Sequence, residues 1–356
     1  MTATELDRAA VPADFVFTEE HQALRGVLRE LFADPRDTQW RTLLTDVGAD
    51  EIVFDAVAGS DAATAIDLAI LAEEAGAALF DGPVLAGALV GVTAAALDRP
   101  DLVAPLRAGA ATVGALVEGG ASFSGGGESL DVTAEPVWNG AGAQHILVWG
   151  TLGDQPAVAL LPADGAQVVP LCGLDLSRPL ARYLGSGIRP LAWVQGEDAR
   201  ALGTALRRTA DLVTAAELLG VAQHAFDGTV EYVSKRVQFG RTVGSFQAVK
   251  HRLVDLLTAV ELARSAVYGA AWGLARGQDD LQTDIDLATA GLLSRRAALS
   301  VGKATIQLHG GIAITWEHWA HRYFRRAHAV AALTGTAGGY ARALADLIDR
   351  RDGADD

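Results

Sequence analysis

The sequence predicts a mainly helical α+β chain in three parts: a helical segment over 1–110, a small β unit over 111–200 and a helical bundle over 201–356. Two patterns carry this. Beyond residue 201, apolar residues recur at helical spacing over long stretches; between about 111 and 171, short β-prone runs are cut by Gly, Pro and Asp. Length agrees, because 356 residues exceed one ordinary core and imply two or three packed units.

Each element follows from its own residues. Thr18 suits a helix N-cap, and Glu19 and Glu20 suit the positive end of the helix dipole, after which Leu24, Val27, Leu28 and Leu31 keep helical spacing. A second helix is predicted over 62–78 from Ile66, Leu68, Ile70, Leu71 and Ala75, with Gly76 as its stop. Strand-like runs follow at 112–117, 143–149, 158–161 and 167–171. The glycine cluster between Gly119 and Gly127 lacks the G-x-G-x-x-G order and a Walker lysine, which favours a flexible loop over a phosphate cradle. Leu212, Ala216, Leu219, Ala222, Phe226, Val230 and Val233 then mark a long helix. Leu253, Leu256, Val260, Ala263 and Val267 mark the next, ending near Gly277. A third is predicted over 284–308 and a short last one over 340–350; the short connections predict antiparallel packing.

Composition narrows the function. Half the residues are hydrophobic, 21% are charged, and no apolar run reaches the roughly 18 residues of a membrane span. The net charge of −15 opposes nonspecific nucleic-acid binding, which needs surplus Lys and Arg. No metal-ligand cluster stands out. A single cysteine, Cys172, excludes an internal disulfide and is read as a packing residue; with an N-terminus that lacks a signal-peptide pattern, this points to the cytoplasm.

Two motifs carry the chemistry. The first is Arg236-Val237-Gln238-Phe239-Gly240-Arg241, followed by Ser245-Phe246-Gln247. The second is Gln307-Leu308-His309-Gly310-Gly311-Ile312, followed by Thr315-Trp316-Glu317-His318. An arginine offers a planar, multi-donor cation for a pyrophosphate, and paired glycines let backbone approach a ligand closely. Either motif alone is equally well a helix end.

In this order and spacing the two motifs resemble the C-terminal signature of the flavin-dependent acyl-CoA dehydrogenases. The resemblance covers nearly the whole chain and implies that family's fold: an N-terminal helical domain, a middle β domain and a C-terminal four-helix bundle. It implies FAD, an acyl-CoA substrate and an electron-transfer flavoprotein as acceptor. The flavin of that family lies between the middle domain of one subunit and the bundle of its neighbour. The bundle residues implied here are Arg236, Gln238, Phe239, Gln247, Gln307, Gly310 and Gly311.

The departures from the family are informative. The middle-domain flavin motif resembling T-E-x-x-x-G-S-D is replaced by Leu116-Val117-Glu118-Gly119-Gly120-Ala121-Ser122-Phe123, and the W-[IV]-[ST] loop is shortened to 138–143. The usual positions of the catalytic carboxylate hold Thr334, before Gly335-Thr336, and Ala210, ten residues before Gly220. Neither can act as base. Asp211 is rotated about 100° from Ala210, and Glu217 lies on the same face roughly 10 Å further along, so Glu217 is a candidate base but reads first as a structural glutamate. Ala215-Ala216-Glu217 and the run from His309 to His318 resemble the smaller, base-lacking subunit of heterotetrameric actinobacterial enzymes of steroid side-chain degradation, with Ala313 in place of a glycine. This implies a base-bearing acyl-CoA dehydrogenase partner with which FAD is shared. A homomeric enzyme using Glu217 and a flavin-free scaffold are the alternatives.

Overall fold

The computed structural model describes residues 16–33, 39–57, 63–116, 121–126, 128–278 and 280–352. Helices come first: α1 (Glu19–Ala33), α2 (Gln39–Thr45), α3 (Asp50–Phe54), α4 (Ala65–Ala77), α5 (Val84–Ala96) and α6 (Ala104–Arg107). Thr18 does cap α1, its hydroxyl accepting the His21 N–H at 3.3 Å. Thr64 caps α4 in a reciprocal box with Asp67. α4 and α5 are buried on nearly every side, so neither shows a polar face.

Eight strands then form one sheet: β1 (Val113–Ala115), β2 (Ala121–Gly126), β3 (Ser129–Trp138), β4 (His145–Leu152), β5 (Gln155–Pro162), β6 (Gln167–Leu171), β7 (Leu180–Ile188) and β8 (Ala192–Gln195). The order is β6-β7-β3-β1-β4-β5-β8, with β2 paired to β3 and β4. Alternation along the strands separates two cores. Leu147 and Trp149 of β4 and Val158 and Leu160 of β5 join the helical core, whereas Ile146, Val148, Ala159 and Leu161 face a second cluster with Leu130 and Tyr183. Two sequence readings are corrected here. Part of the glycine cluster is strand β2, paired along its length with β3; Gly119, Gly120 and Gly127 lie outside the described residues, as do 117–118. Cys172 does not pack: it is exposed in the connection after β6.

The remaining chain is helical: α7 (Glu197–Lys235), α8 (Gln247–Ala275), α9 (Asp280–His309), α10 (Ala320–Leu333) and α11 (Ala337–Asp352). Between α7 and α8 lies a small hairpin, β9 (Val237–Gln238) and β10 (Arg241–Thr242). α7 packs on α4 with backbone nearly touching backbone: a Cβ on Gly76 would stand 2.1 Å from the Glu217 carbonyl oxygen, and one on Gly220 would stand 1.8 Å from that of Glu73. Gly76 is thus a contact residue inside α4 and not its stop; the turn out of α4 uses Leu79 at φ +53°. No helix among the described residues is long and apolar enough to cross a membrane.

Candidate functional site

The sequence-predicted site residues fall into two regions of opposite character. The first is the end of the bundle where α7 stops, α8 starts and α9 stops. Arg236 leaves α7 with extended backbone (ψ 120°), which turns the chain into the β9–β10 hairpin. Phe239 and Gly240 form its tip, both with positive φ (+52° and +76°), the pattern of a two-residue type I′ turn. That turn thrusts the Phe239 ring outward until it is 92% exposed. Gln247 opens α8.

Gln307 lies in the last turn of α9, which ends at His309, and Gly310 takes φ +69° to start a 3₁₀ turn over Gly310–Ile314. A Cβ at Gly310 or Gly311 would meet nothing within 4 Å, so this backbone stands open. Ala313, which replaces a glycine of the motif, is fully buried and keeps negative φ, so its methyl fits without strain. The two motifs are tied together at their roots: the Tyr232 ring stacks on His309 with centroids 4.2 Å apart, and its hydroxyl donates to the His309 carbonyl at 3.4 Å. Arg236, Gln238, Phe239, Gln247, Gln307, Gly310 and Gly311 are all exposed at this end. Val237, Ile312, Ile314 and Trp316 add exposed apolar surface beside them.

The second region is buried, where the sheet meets the bundle, and it holds Glu217. One Glu217 oxygen accepts from Arg178 Nη2 at 2.8 Å and from Arg326 Nη1 at 2.9 Å. Arg326, fully buried, also pairs with Asp175 and donates to Ser177 Oγ at 2.8 Å. Burial raises the Asp175 carboxyl, but Arg326 and the Ser177 donors outweigh it and hold Asp175 below the usual carboxylate range. Burial, then the like charge of Arg326, pulls the Arg178 guanidinium down. Arg178 also lies over the Trp138 ring, 4.4 Å from its centroid, and its Nε has no hydrogen-bond partner.

Little space remains around this network. The cavity between Ala72, Phe80, Asn139, Arg178 and Glu217 holds about 10 Å³, barely one water. On the other side of Arg178, against Trp138, His328 and Leu333, lies a cavity of about 150 Å³. Small-molecule sites usually measure about 300–1,000 Å³.

The two positions expected for a base hold no carboxylate, although Thr334 borders a pocket of about 530 Å³ that Asp211, Gly335 and Tyr340 also line. Ala210 is buried on α7, and Thr334 is 9% exposed. The Thr334 hydroxyl donates to the Val330 carbonyl at 2.7 Å and accepts from Arg295 Nη2 at 2.6 Å. Asp211 receives the Tyr340 hydroxyl. Arg178, Arg326, Asp175 and Arg295 were not singled out by the sequence reading. Arg326 did carry a signal, since it shares the buried stripe of α10 with Tyr323, Ala327 and Val330. A charge on such a stripe calls for a buried partner.

FAD fits these two regions unequally. A flat ring has no room in the interior while Arg178 covers Trp138. The bundle end offers open glycine backbone, an arginine and an exposed aromatic ring, which suits part of a dinucleotide whose remainder rests on another surface. Among the described residues no cluster could hold a metal ion.

Comparison with known proteins agrees with the fold. The family description "Acyl-CoA dehydrogenase, C-terminal domain" matches residues 209–346. Acyl-CoA dehydrogenase IpdE2 of Mycobacterium tuberculosis is 36% identical over 83% of this chain and 82% of that protein. Among solved structures, a chain of the ChsE4–ChsE5 complex from Mycobacterium tuberculosis superposes with TM-score 0.81 at 26% identity, covering 94% of this chain and 99% of that one. A chain of the Tcur3481–Tcur3483 steroid ACAD gives TM-score 0.80 at 26% identity over 95% and 99%. With helices, sheet and bundle in the same order and near-complete coverage by relatives of this identity, the chain belongs to the acyl-CoA dehydrogenase family of flavin-dependent oxidoreductases.

Proposed function

We propose that this chain is the base-lacking subunit of a heteromeric acyl-CoA dehydrogenase. It completes a FAD site whose other half, with the catalytic carboxylate, belongs to a partner subunit of the same family. The observation that carries this is the state of Glu217, the candidate base: it is tied to two arginines beside a 10 Å³ cavity, while Asp211, next to Ala210, receives the Tyr340 hydroxyl. A base must reach the α-proton of the thioester, and a buried, doubly paired carboxylate has no path to it. The relatives lend support, since ChsE4–ChsE5 is a complex of two named components and Tcur3481–Tcur3483 is a steroid ACAD. A steroid side-chain CoA ester is the substrate class this suggests.

In this reading Arg236 binds the pyrophosphate through its planar fork, and Gly310 and Gly311 admit the dinucleotide against bare backbone. Gln238, Gln247 and Gln307 orient it by hydrogen bonds, and Phe239 shields one edge from water. Bound FAD supplies the acceptor for the β-hydride, and an electron-transfer flavoprotein takes the electrons onward. Cytoplasmic residence belongs to the same proposal. The test is to purify the chain alone and co-expressed with base-bearing subunits encoded beside it, then assay acyl-CoA oxidation with a dye acceptor. Activity only in the mixed assembly supports the proposal. Activity of the chain alone favours a homomeric enzyme, and flavin in neither preparation favours a scaffold.

A further inference from the structure

Arg295 is a fully buried cation in the middle of α9, and no carboxylate forms an ion pair with it among the described residues. Its partners are neutral. Nε donates to the Gly335 carbonyl at 2.7 Å, and Nη2 donates to Thr334 Oγ1 at 2.6 Å and to the Thr334 carbonyl at 3.1 Å. Nη1 reaches the Gly291 carbonyl at 3.2 Å. The guanidinium face packs on the Tyr340 ring, 4.1 Å from the centroid. The nearest acid, Asp211, acts at one remove through the Tyr340 hydroxyl. Burial pulls the guanidinium below its usual pKa, and only Tyr340 and Asp211 oppose this. A buried cation of this kind is costly. What it holds in return is one short loop, at the point where Gly335 takes φ +97°.

The same guanidinium faces α7. Nη2 lies 3.4 Å from Thr214 Oγ1, and that hydroxyl donates to the Ala210 carbonyl at 2.7 Å. Arg295 therefore stands between the loop that carries residue 334 and the helical turn that carries residue 210. We infer that Arg295 is a positioning residue that locks this loop in a base-free form: a carboxylate restored at 334 would become its ion-pair partner and would not turn toward a substrate. The loss of the base is then not a single substitution at 334, because the surroundings have been rebuilt around a cation. The significance of residue 334 rests on the proposed function, but the lock itself can be tested without flavin, substrate or partner.

The experiment is thermal unfolding of the full-length chain between about pH 4 and pH 8 for wild type, Thr334→Glu, Arg295→Met, Arg295→Lys, and Thr334→Glu in each Arg295 background. With Arg295 present, the added carboxylate is expected to pair, so Tm at pH 7 stays at or above the wild-type value. Its folded pKa then lies below the unfolded value of about 4.3, so this contribution is held above that pH and lost as pH falls through the lowered value. In the Arg295→Met background the same glutamate loses this cation at a position only 9% exposed, beside a pocket whose Arg208 is already paired with Asp280 and Asp284. Tm should drop by about 3–6 °C at pH 7 and recover on acidification, as the carboxyl takes up a proton. Arg295→Lys keeps the charge and should restore tolerance of the Thr334→Glu substitution in part. If the Arg295→Met chain does not fold, the pH slope of Thr334→Glu alone decides. Destabilisation at neutral pH that recovers in acid, or equal Tm loss with and without Arg295, overturns the inference. Either result leaves the subunit assignment untouched.

Discussion

The interior between sheet and bundle, which holds the candidate base Glu217, and the exposed end of the bundle, which holds the residues marked for cofactor binding, are built oppositely. In the interior, Arg178, Glu217, Arg326 and Asp175 pair with one another, and the cavity beside Glu217 holds about 10 Å³. At the end, Phe239 is 92% exposed and Ile314 73%, with Gly310 and Gly311 open beside them. A complete enzyme needs both regions open to ligands. Here the region around Glu217 is closed and charge-balanced, whereas the bundle end is open. Under the proposed function, this difference is that of a chain carrying one half of a shared site.

The comparison can be broken most forcefully at Arg326. Arg326→Ala leaves Asp175 and Glu217 buried without their shared cation, and should cost about 3–5 kcal/mol in a denaturant titration. A loss below about 1 kcal/mol would mean that the interior is wetter and less tightly paired than described. At the other region, Arg236→Ala should leave the urea midpoint of the chain unchanged, because Arg236 is exposed and caps no packed contact. In the mixed assembly it should weaken flavin retention by about 10–100-fold, the value of a charged hydrogen bond to phosphate. Unchanged flavin occupancy after gel filtration would remove Arg236 from the site.

Glu217→Gln separates structure from chemistry. It should lower stability by about 1–3 kcal/mol, since two arginines lose a charged acceptor. The dehydrogenation rate per bound flavin should stay within about twofold, whereas removal of a general base costs on the order of a hundredfold or more. A hundredfold loss with flavin and assembly intact would restore Glu217 as the base.

The smallest effect concerns pH. Burial lowers the pKa of His309, which is 5% exposed and stacks on Tyr232, and of His318 beside Trp319. Groups with depressed folded pKa values give stability that is present above the unfolded value of about 6.5 and is lost as pH falls below it. Urea midpoints should therefore decline between pH 7 and 5, and His309→Phe should flatten the slope. An unchanged slope would show that His309 is not held neutral.

The parts that were legible in sequence share one property: a polar side against an apolar one, or a punctuating residue with a single use. Thr18 as a cap and the long stripes of α7 and α8 are of this kind. Helix α5 was missed because it is apolar all round, so no period shows. α10 was missed because Arg322, Arg325, Arg326 and His328 mask the stripe of Tyr323, Ala327 and Val330. β3 and β7 carry polar residues on their outer faces and glycines or a proline within, which breaks a strand pattern. The binding motifs were readable because each is continuous. The charge network was not, because Asp175, Arg178, Glu217 and Arg326 come from three separate parts of the chain.

The most direct test of the central claim is the flavin content of the chain purified alone and of the same chain co-purified with a base-bearing partner, read from visible absorbance per subunit. The isolated chain is expected to be colourless even after incubation with FAD, because Arg178 closes its interior and its bundle end lacks the opposing surface. The mixed assembly is expected to be yellow. A stable, yellow homo-oligomer of this chain that oxidises an acyl-CoA would contradict the account.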